Sequence, residues 1–289
     1  MHRLGYETLY FDSIFDQDLY FAGPATRRAD ELTEMFGRDD VRAIICARGG
    51  YGCNYLLKEI DVETVRRHPK IFMGYSDVTT LLTWFSDAAG LVTFHGPMVT
   101  KDFANPGGVD LPSFQSLSDP ADGYRRGFAT SSGVYPLVEG NAEGTFYGGC
   151  LSMLVASLGT SYEIHTDGTI LLVEDLNTKP FQIDRMLMHL KLAGKLDGVR
   201  GIIFGEMLDC VQTADQSYTL QEVILRIVSD LGIPVAYGLR SGHVTRENFT
   251  FPIGVRGTLK VDNTIREPVQ LAFEAAVSAA PAGIKAAKR

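Results

Sequence analysis

The sequence is short of several things, and each shortage excludes a class of protein. Cysteine is scarce: four in 289 residues, at positions 46, 53, 150 and 210. No two of them make a C-x-x-C pair, so neither a zinc-ligand spacing nor a disulfide framework is written here. Isolated thiols of this kind suit a reducing compartment, and the chain reads as cytoplasmic. Bases are the minority, 27 Lys and Arg against 35 Asp and Glu, for a formal net charge of −8. The basic surplus of a nucleic-acid binder is missing, so no nucleic-acid partner is expected. No apolar run reaches the ~18 residues of a membrane span. The first ten residues hold no apolar stretch of signal-peptide length. No H-x-x-x-H or H-x-E pattern marks a metal site, and no G-x-x-x-x-G-K-[ST] pattern marks a nucleotide loop. No internal repeat is visible.

What remains is ordinary globular composition, 45% hydrophobic and 21% charged, enough for a full core. In the first half, short apolar runs alternate with helical spacing. Residues 41–46 form a β-branched run that ends in Ala47-Arg48-Gly49-Gly50-Tyr51-Gly52. A second run, 70–74, stops at Tyr75-Ser76-Asp77, and Val78, Leu81, Leu82 and Phe85 then recur at helical spacing. A third run, 91–95, is closed by Gly96-Pro97. Strand, turn, helix, strand predicts a parallel α/β sheet. Residues 104–133 are rich in breakers and lack an apolar period, which predicts a linker between an N-terminal domain, 1–103, and a C-terminal domain, 134–289. The second domain should carry strands at 169–174, 201–204 and 234–237, a helix over 182–192, and short strands over 249–273. The Ala-rich tail from 275 shows no core pattern.

Four places could carry chemistry. Ser76 stands at a strand tip just before a helix, where a nucleophile is held on a sharp turn and the following amide, on Asp77, points at a developing oxyanion. The hydrolase elbow G-x-S-x-G is incomplete here, because Val78 replaces the second glycine. A plain helix cap also explains the serine. The glycines at 49, 50 and 52 could expose amides to an anion, add an oxyanion donor beside Ser76, or simply make a tight turn. Glu174 ends an apolar run, where α/β proteins place functional acids, though the pair Glu174-Asp175 could equally cap the next helix. His243 follows a strand and a turn, a place that suits either a projecting catalytic ring or a surface side chain.

Taken in order, the segments resemble the LD-carboxypeptidase family of serine peptidases. The matching stretches are 47–52, Gly74-Tyr75-Ser76-Asp77-Val78-Thr79, His95-Gly96-Pro97-Met98, 143–151, Leu172-Val173-Glu174-Asp175, 183–187, Gly242-His243 and Pro252-Ile253-Gly254. Together they cover roughly residues 4–274. The resemblance implies a flavodoxin-like parallel-sheet domain followed by an α/β domain with a small barrel-like sheet. It implies a catalytic triad of Ser76, Glu174 and His243, with the Asp77 and Gly50 amides as oxyanion donors. It implies no cofactor and no metal, a murein peptide as substrate, and a homodimer. The expected reaction is hydrolysis of the L–D peptide bond that releases terminal D-Ala during cell-wall recycling. Two rivals share the pattern: a relative of the microcin C self-immunity peptidases, which cleave a peptidyl- or aminoacyl-nucleotide amide, and an inactive binding protein on the same fold.

Two departures stand out. The family usually reads G-G-N-L where this chain has Gly148-Gly149-Cys150-Leu151, a change expected to touch no triad member. Family members also usually open with a strand, a Pro-Ser-Gly-Pro-like turn and a helix. Here Leu4-Gly5-Tyr6-Glu7 comes almost at once, so the N-terminal domain is expected to lack that first strand and helix and to be the less stable for it.

Overall fold

A computed structural model describes residues 1–118, 128–129, 133–212 and 216–274. In the first half, helix α1 (Ala25–Gly37) precedes strand β1 (Ala43–Ile45), helix α2 (Val62–Arg67) and strand β2 (Ile71–Gly74). Helix α3 (Thr79–Ala89), strand β3 (Thr93–His95) and the short helix α4 (Leu111–Gln115) follow. The second half runs through β4 (Phe128–Ala129), β5 (Tyr135–Val138), β6 (Gly140–Cys150), α5 (Leu151–Ala156), β7 (Thr169–Glu174), α6 (Pro180–Leu192) and β8 (Gly201–Gly205). It closes with α7 (Leu220–Val228), β9 (Val235–Leu239), β10 (Phe251–Ile253), β11 (Arg256–Val261) and β12 (Val269–Phe273).

The predicted parallel sheet is present: β1, β2 and β3 lie side by side and parallel. Its fourth strand comes from the other half of the chain. β10 pairs antiparallel with β3, Phe251 opposite His95. The second sheet runs β4-β12-β11-β6-β7-β8-β9-β5, with β6 to β9 parallel and the flanks antiparallel. Strand β6 serves two partners. Residues 140–145 pair with β11, and residues 145–150 pair with β7.

Helix α3 forms because Leu81, Leu82 and Phe85 fall on one face, and it stops at Gly90, whose φ of 66° lets its amide reach back to close the last turn. The rings of Phe36, Phe72 and Phe85 meet at centroid distances of 5.1 to 6.0 Å beneath it. Each such ring contributes about 1.5–3 kcal/mol by burial. Pro180 opens α6, where its missing N–H costs nothing, and Gln182 Oε1 accepts the Lys179 amide at 3.0 Å. The main core does not respect the midpoint of the chain: Met73, Phe94 and Phe114 pack with the buried residues of β6 to β9. Within the region expected to be a linker, α4 buries Phe114, and Val109 bridges to Asn248. The predicted tail lies outside the described residues. Among the described residues no helix is long and apolar enough to cross a membrane.

Candidate active site

Strand β2 ends at Gly74, and the chain turns sharply. Ser76 sits at φ 64°, a region uncommon for anything but glycine, and leads into a short helical turn, 76–78, and then α3. Holding a serine there costs on the order of 1–3 kcal/mol, strain that the surroundings must impose. They do so closely. A Cβ on Gly74 would lie 2.8 Å from Val78 Cγ1, and one on Gly49 would lie 2.7 Å from Ser76 Cβ. The loop after β1 is thereby pressed on the serine, and Asp77 fastens it by accepting the Cys53 amide at 2.8 Å. The cap alternative fails. Tyr75 is the residue before the turn, and Ser76 Oγ bonds to none of the described residues. The Asp77 amide belongs to the first turn of a helix, where N–H groups lack intrahelical partners. Gly50 is exposed, at φ 122°.

Glu174 is the last residue of β7 and is wholly buried. It has room because the facing residue on β8 is Gly205, where a Cβ would lie 2.5 Å from Glu174 Cβ. His243 follows β9 through Ser241-Gly242. Asn248 holds that loop, its Oδ1 accepting the Gly242 amide and its Nδ2 donating to the Gly242 carbonyl, both at 3.0 Å. Glu174 Oε2 accepts the His243 amide at 3.0 Å and Nδ1–H at 2.8 Å. With its proton on Nδ1, the ring carries a lone pair on Nε2, the state required of a base. The ring of Tyr75, next to Ser76 in the chain, meets the His243 ring edge-on at 5.1 Å. That contact brings the turn bearing Ser76 and the loop bearing His243 together across the two sheets, with no hydrogen bond between the two side chains among the described residues. Such bonds are often loose before substrate arrives.

Burial by itself would raise the Glu174 carboxyl. The His243 hydrogen bonds and the nearness of both His243 and His95 outweigh it and bring the group down to about 2. A depressed carboxylate stabilises the fold fully above its ordinary value of 4.5, and that contribution disappears as pH falls toward about 2. The gap in melting temperature between the wild type and Glu174→Gln should therefore be widest above pH 4.5 and close on acidification. A gap of constant size down to pH 2 would show that Glu174 is not held as an ion.

Neither Glu174 nor Asp175 caps the next helix, α6, whose N-cap is Lys179; Asp175 instead serves the earlier helix α5. Its carboxylate accepts from Ser152 N and Oγ, Leu176 N and Thr178 Oγ1, pinning the start of α5 and the turn after β7. Cys150, the departure from G-G-N-L, lies in register opposite Glu174 on the neighbouring strand. Its thiol is pushed up by burial and by the nearby carboxylates. Sequence reasoning gave no role to His95, Tyr75, Ser241 or Asn248. His95 stood in a noticed motif, but nothing local signals that its side chain reaches Glu174 in the other sheet.

Both halves of the chain resemble known domains. Residues 1–96 match the model of the LD-carboxypeptidase N-terminal domain, and residues 143–259 match that of the C-terminal domain. A Bacillus subtilis protein named "Probable murein peptide carboxypeptidase" is 37% identical over 90% of this chain and 81% of its own length. The Escherichia coli microcin C7 self-immunity protein MccF is 29% identical over 91% of this chain and 84% of its own. Its structure in complex with aspartyl sulfamoyl adenosine superposes with a TM-score of 0.84, at 26% identity, covering 96% of this chain and 89% of that one. The muramoyltetrapeptide carboxypeptidase of Oxalobacter formigenes gives a TM-score of 0.80 at 28% identity, covering 94% and 91%. With both domain models matched in order and a relative this similar over nine tenths of the present chain, the chain belongs to the LD-carboxypeptidase family.

Proposed function

We propose that this protein is a serine carboxypeptidase that hydrolyses the L–D peptide bond of a murein tetrapeptide and releases its terminal D-Ala. The observation that carries the reading is the strained Ser76 turn, whose Tyr75 ring meets a His243 with Nδ1 committed to a buried carboxylate. His243 Nε2 takes the Ser76 proton as Oγ attacks the carbonyl carbon. Glu174 holds the imidazole tautomer and stabilises the imidazolium that forms. The Asp77 and Gly50 amides receive the oxyanion, each worth about 3 kcal/mol in comparable sites. The C–N bond then breaks, His243 returns its proton to the departing D-Ala amine, and water activated by the same ring hydrolyses the acyl-enzyme. Similarity to the muramoyltetrapeptide carboxypeptidase supports the substrate class.

A second reading, cleavage of a peptidyl- or aminoacyl-nucleotide amide, draws on the aromatic group beside Gly50. Tyr51 and Tyr55 are half exposed and contact Phe21, with Tyr20 alongside, which offers faces on which a base could stack. One assay separates the two. A tetrapeptide ending in D-Ala should be cleaved with far higher kcat/KM than its L-Ala counterpart or an aminoacyl sulfamoyl nucleoside. Equal rates for D- and L-Ala, or faster cleavage of the nucleoside, favour the second reading. Turnover of neither indicates a binding protein.

A further inference from the structure

The carboxylate of Glu174 has a second oxygen, and the triad does not use it. Oε2 takes both bonds from His243. Oε1 faces His95 Nε2 at 3.6 Å, and neither atom has a hydrogen-bond partner among the described residues. Both side chains are fully buried. A buried carboxylate oxygen needs a donor, and here one ring nitrogen is placed to be it. We propose that His95 is a positioning residue for the triad, its Nε2–H directed at Oε1 so that the carboxylate is gripped between two imidazoles and Oε2 stays on His243. This rests on the reading of Ser76, His243 and Glu174 as the catalytic group.

Proton counting supports the assignment. Ser241 Oγ lies 2.9 Å from His95 Nδ1 and 3.1 Å from the His95 carbonyl oxygen, and it has one proton to give. If that proton goes to Nδ1, the neutral ring carries its own on Nε2, pointing at Glu174. If it goes to the carbonyl, Nδ1 must be the protonated nitrogen, and a neutral ring would turn a lone pair on a carboxylate in a dry site. For a neutral ring, the first arrangement gives Glu174 Oε1 a donor and the second does not. The ring is also fixed in place. A Cβ on Gly242 would lie 2.6 Å from both His95 Cε1 and Glu174 Cδ, and one on Gly149 would lie 3.1 Å from His95 Cδ2.

The position in the fold explains what such a grip accomplishes. His95 ends β3, in register with Gly74 two residues before Ser76. Glu174 ends β7 in the other sheet. The imidazole therefore spans from the strand beside the nucleophile to the acid that orients the base. It sets the distance between the two halves of the triad while touching neither substrate nor reacting atoms.

The test compares His95→Phe, which fills the space without a donor, with His95→Gln, whose amide can offer an N–H to Oε1. His95→Phe should lower kcat about 10- to 100-fold, part of what a general base contributes, with KM nearly unchanged. His95→Gln should recover most of that loss. In the wild type at rest, 15N-histidine NMR should show His95 neutral with its proton on Nε2. Wild-type kcat in His95→Phe, or a glutamine variant no better than phenylalanine, overturns the proposal. So does a neutral ring protonated on Nδ1 alone. If His95→Phe does not fold, the NMR tautomer and the glutamine variant decide, a loss beyond about 100-fold in the latter counting against. If the wild type cleaves no tetrapeptide, the substrate reading has failed. The same variants are then compared by their rate of Ser76 labelling with a fluorophosphonate, which asks about His95 without that substrate.

Discussion

Ser76→Ala should leave less than about 1% of wild-type kcat/KM on a tetrapeptide ending in D-Ala, since loss of a triad nucleophile normally costs several orders of magnitude. The same variant should melt within a few degrees of the wild type. Ser76 Oγ bonds to none of the described residues, so removing it breaks no hydrogen bond, and alanine inherits the same backbone conformation at φ 64°. Activity and stability should thus separate cleanly. Retention of more than about 1% of activity would remove Ser76 as nucleophile, because the residual rate of a disabled triad lies far below that.

Gly242→Ala should damage both quantities at once. The residue has φ 99°, which side chains rarely tolerate, and its Cβ would enter the space of Glu174 Cδ and His95 Cε1 at 2.6 Å. Either the carboxylate or the loop bearing His243 must move. A displacement of about 1 Å at a catalytic group costs on the order of 100-fold in rate. The strain should cost about 1–3 kcal/mol in stability, read from urea unfolding. Gly90→Ala is the control. It too has positive φ, 66°, but a Cβ there meets nothing within 4 Å. It should lose stability alone. If Gly242→Ala is as active as Gly90→Ala, crowding against Glu174 and His95 is not what glycine relieves.

The two halves of the site differ in how far the chain announces them. The strands around Ser76 were visible because β-branched runs end abruptly in glycine or proline, and 71–74 and 169–174 fell where expected. The helix after Asp77 was visible from its apolar spacing. Ser76, Glu174 and His243 each stayed ambiguous until the ordered motifs were read together, because a serine at a strand tip or an acid at a strand end has ordinary structural uses. β10 was legible as a short strand, but not its destination: three residues, one of them Pro252, do not specify which sheet they join. The hold of Asn248 on Gly242 and the reach of His95 to Glu174 join residues 6 and 79 positions apart through tertiary packing alone, for which no local pattern exists. Of the glycines of β6 that read as a motif, Gly149 proved to be where the first half approaches, against Thr79 and His95, whereas Gly148 abuts Leu172 in its own sheet.

The loan of β10 to the first sheet sets an order of events during synthesis. β3 is complete at residue 95, and the strand that covers its open side begins at residue 251, 156 positions later. At ribosomal rates of 5–20 residues per second, that interval is about 8–30 s. Throughout it, the half of the molecule carrying Ser76 exists with a bare strand edge at His95, an invitation to wrong pairing that a nascent chain must survive or have shielded. His243 and the Asn248 hold on its loop also emerge only at the end of that interval. The first sheet is not completed by folding the halves in turn, and the candidate site becomes whole only as the last stretches of the chain settle into place.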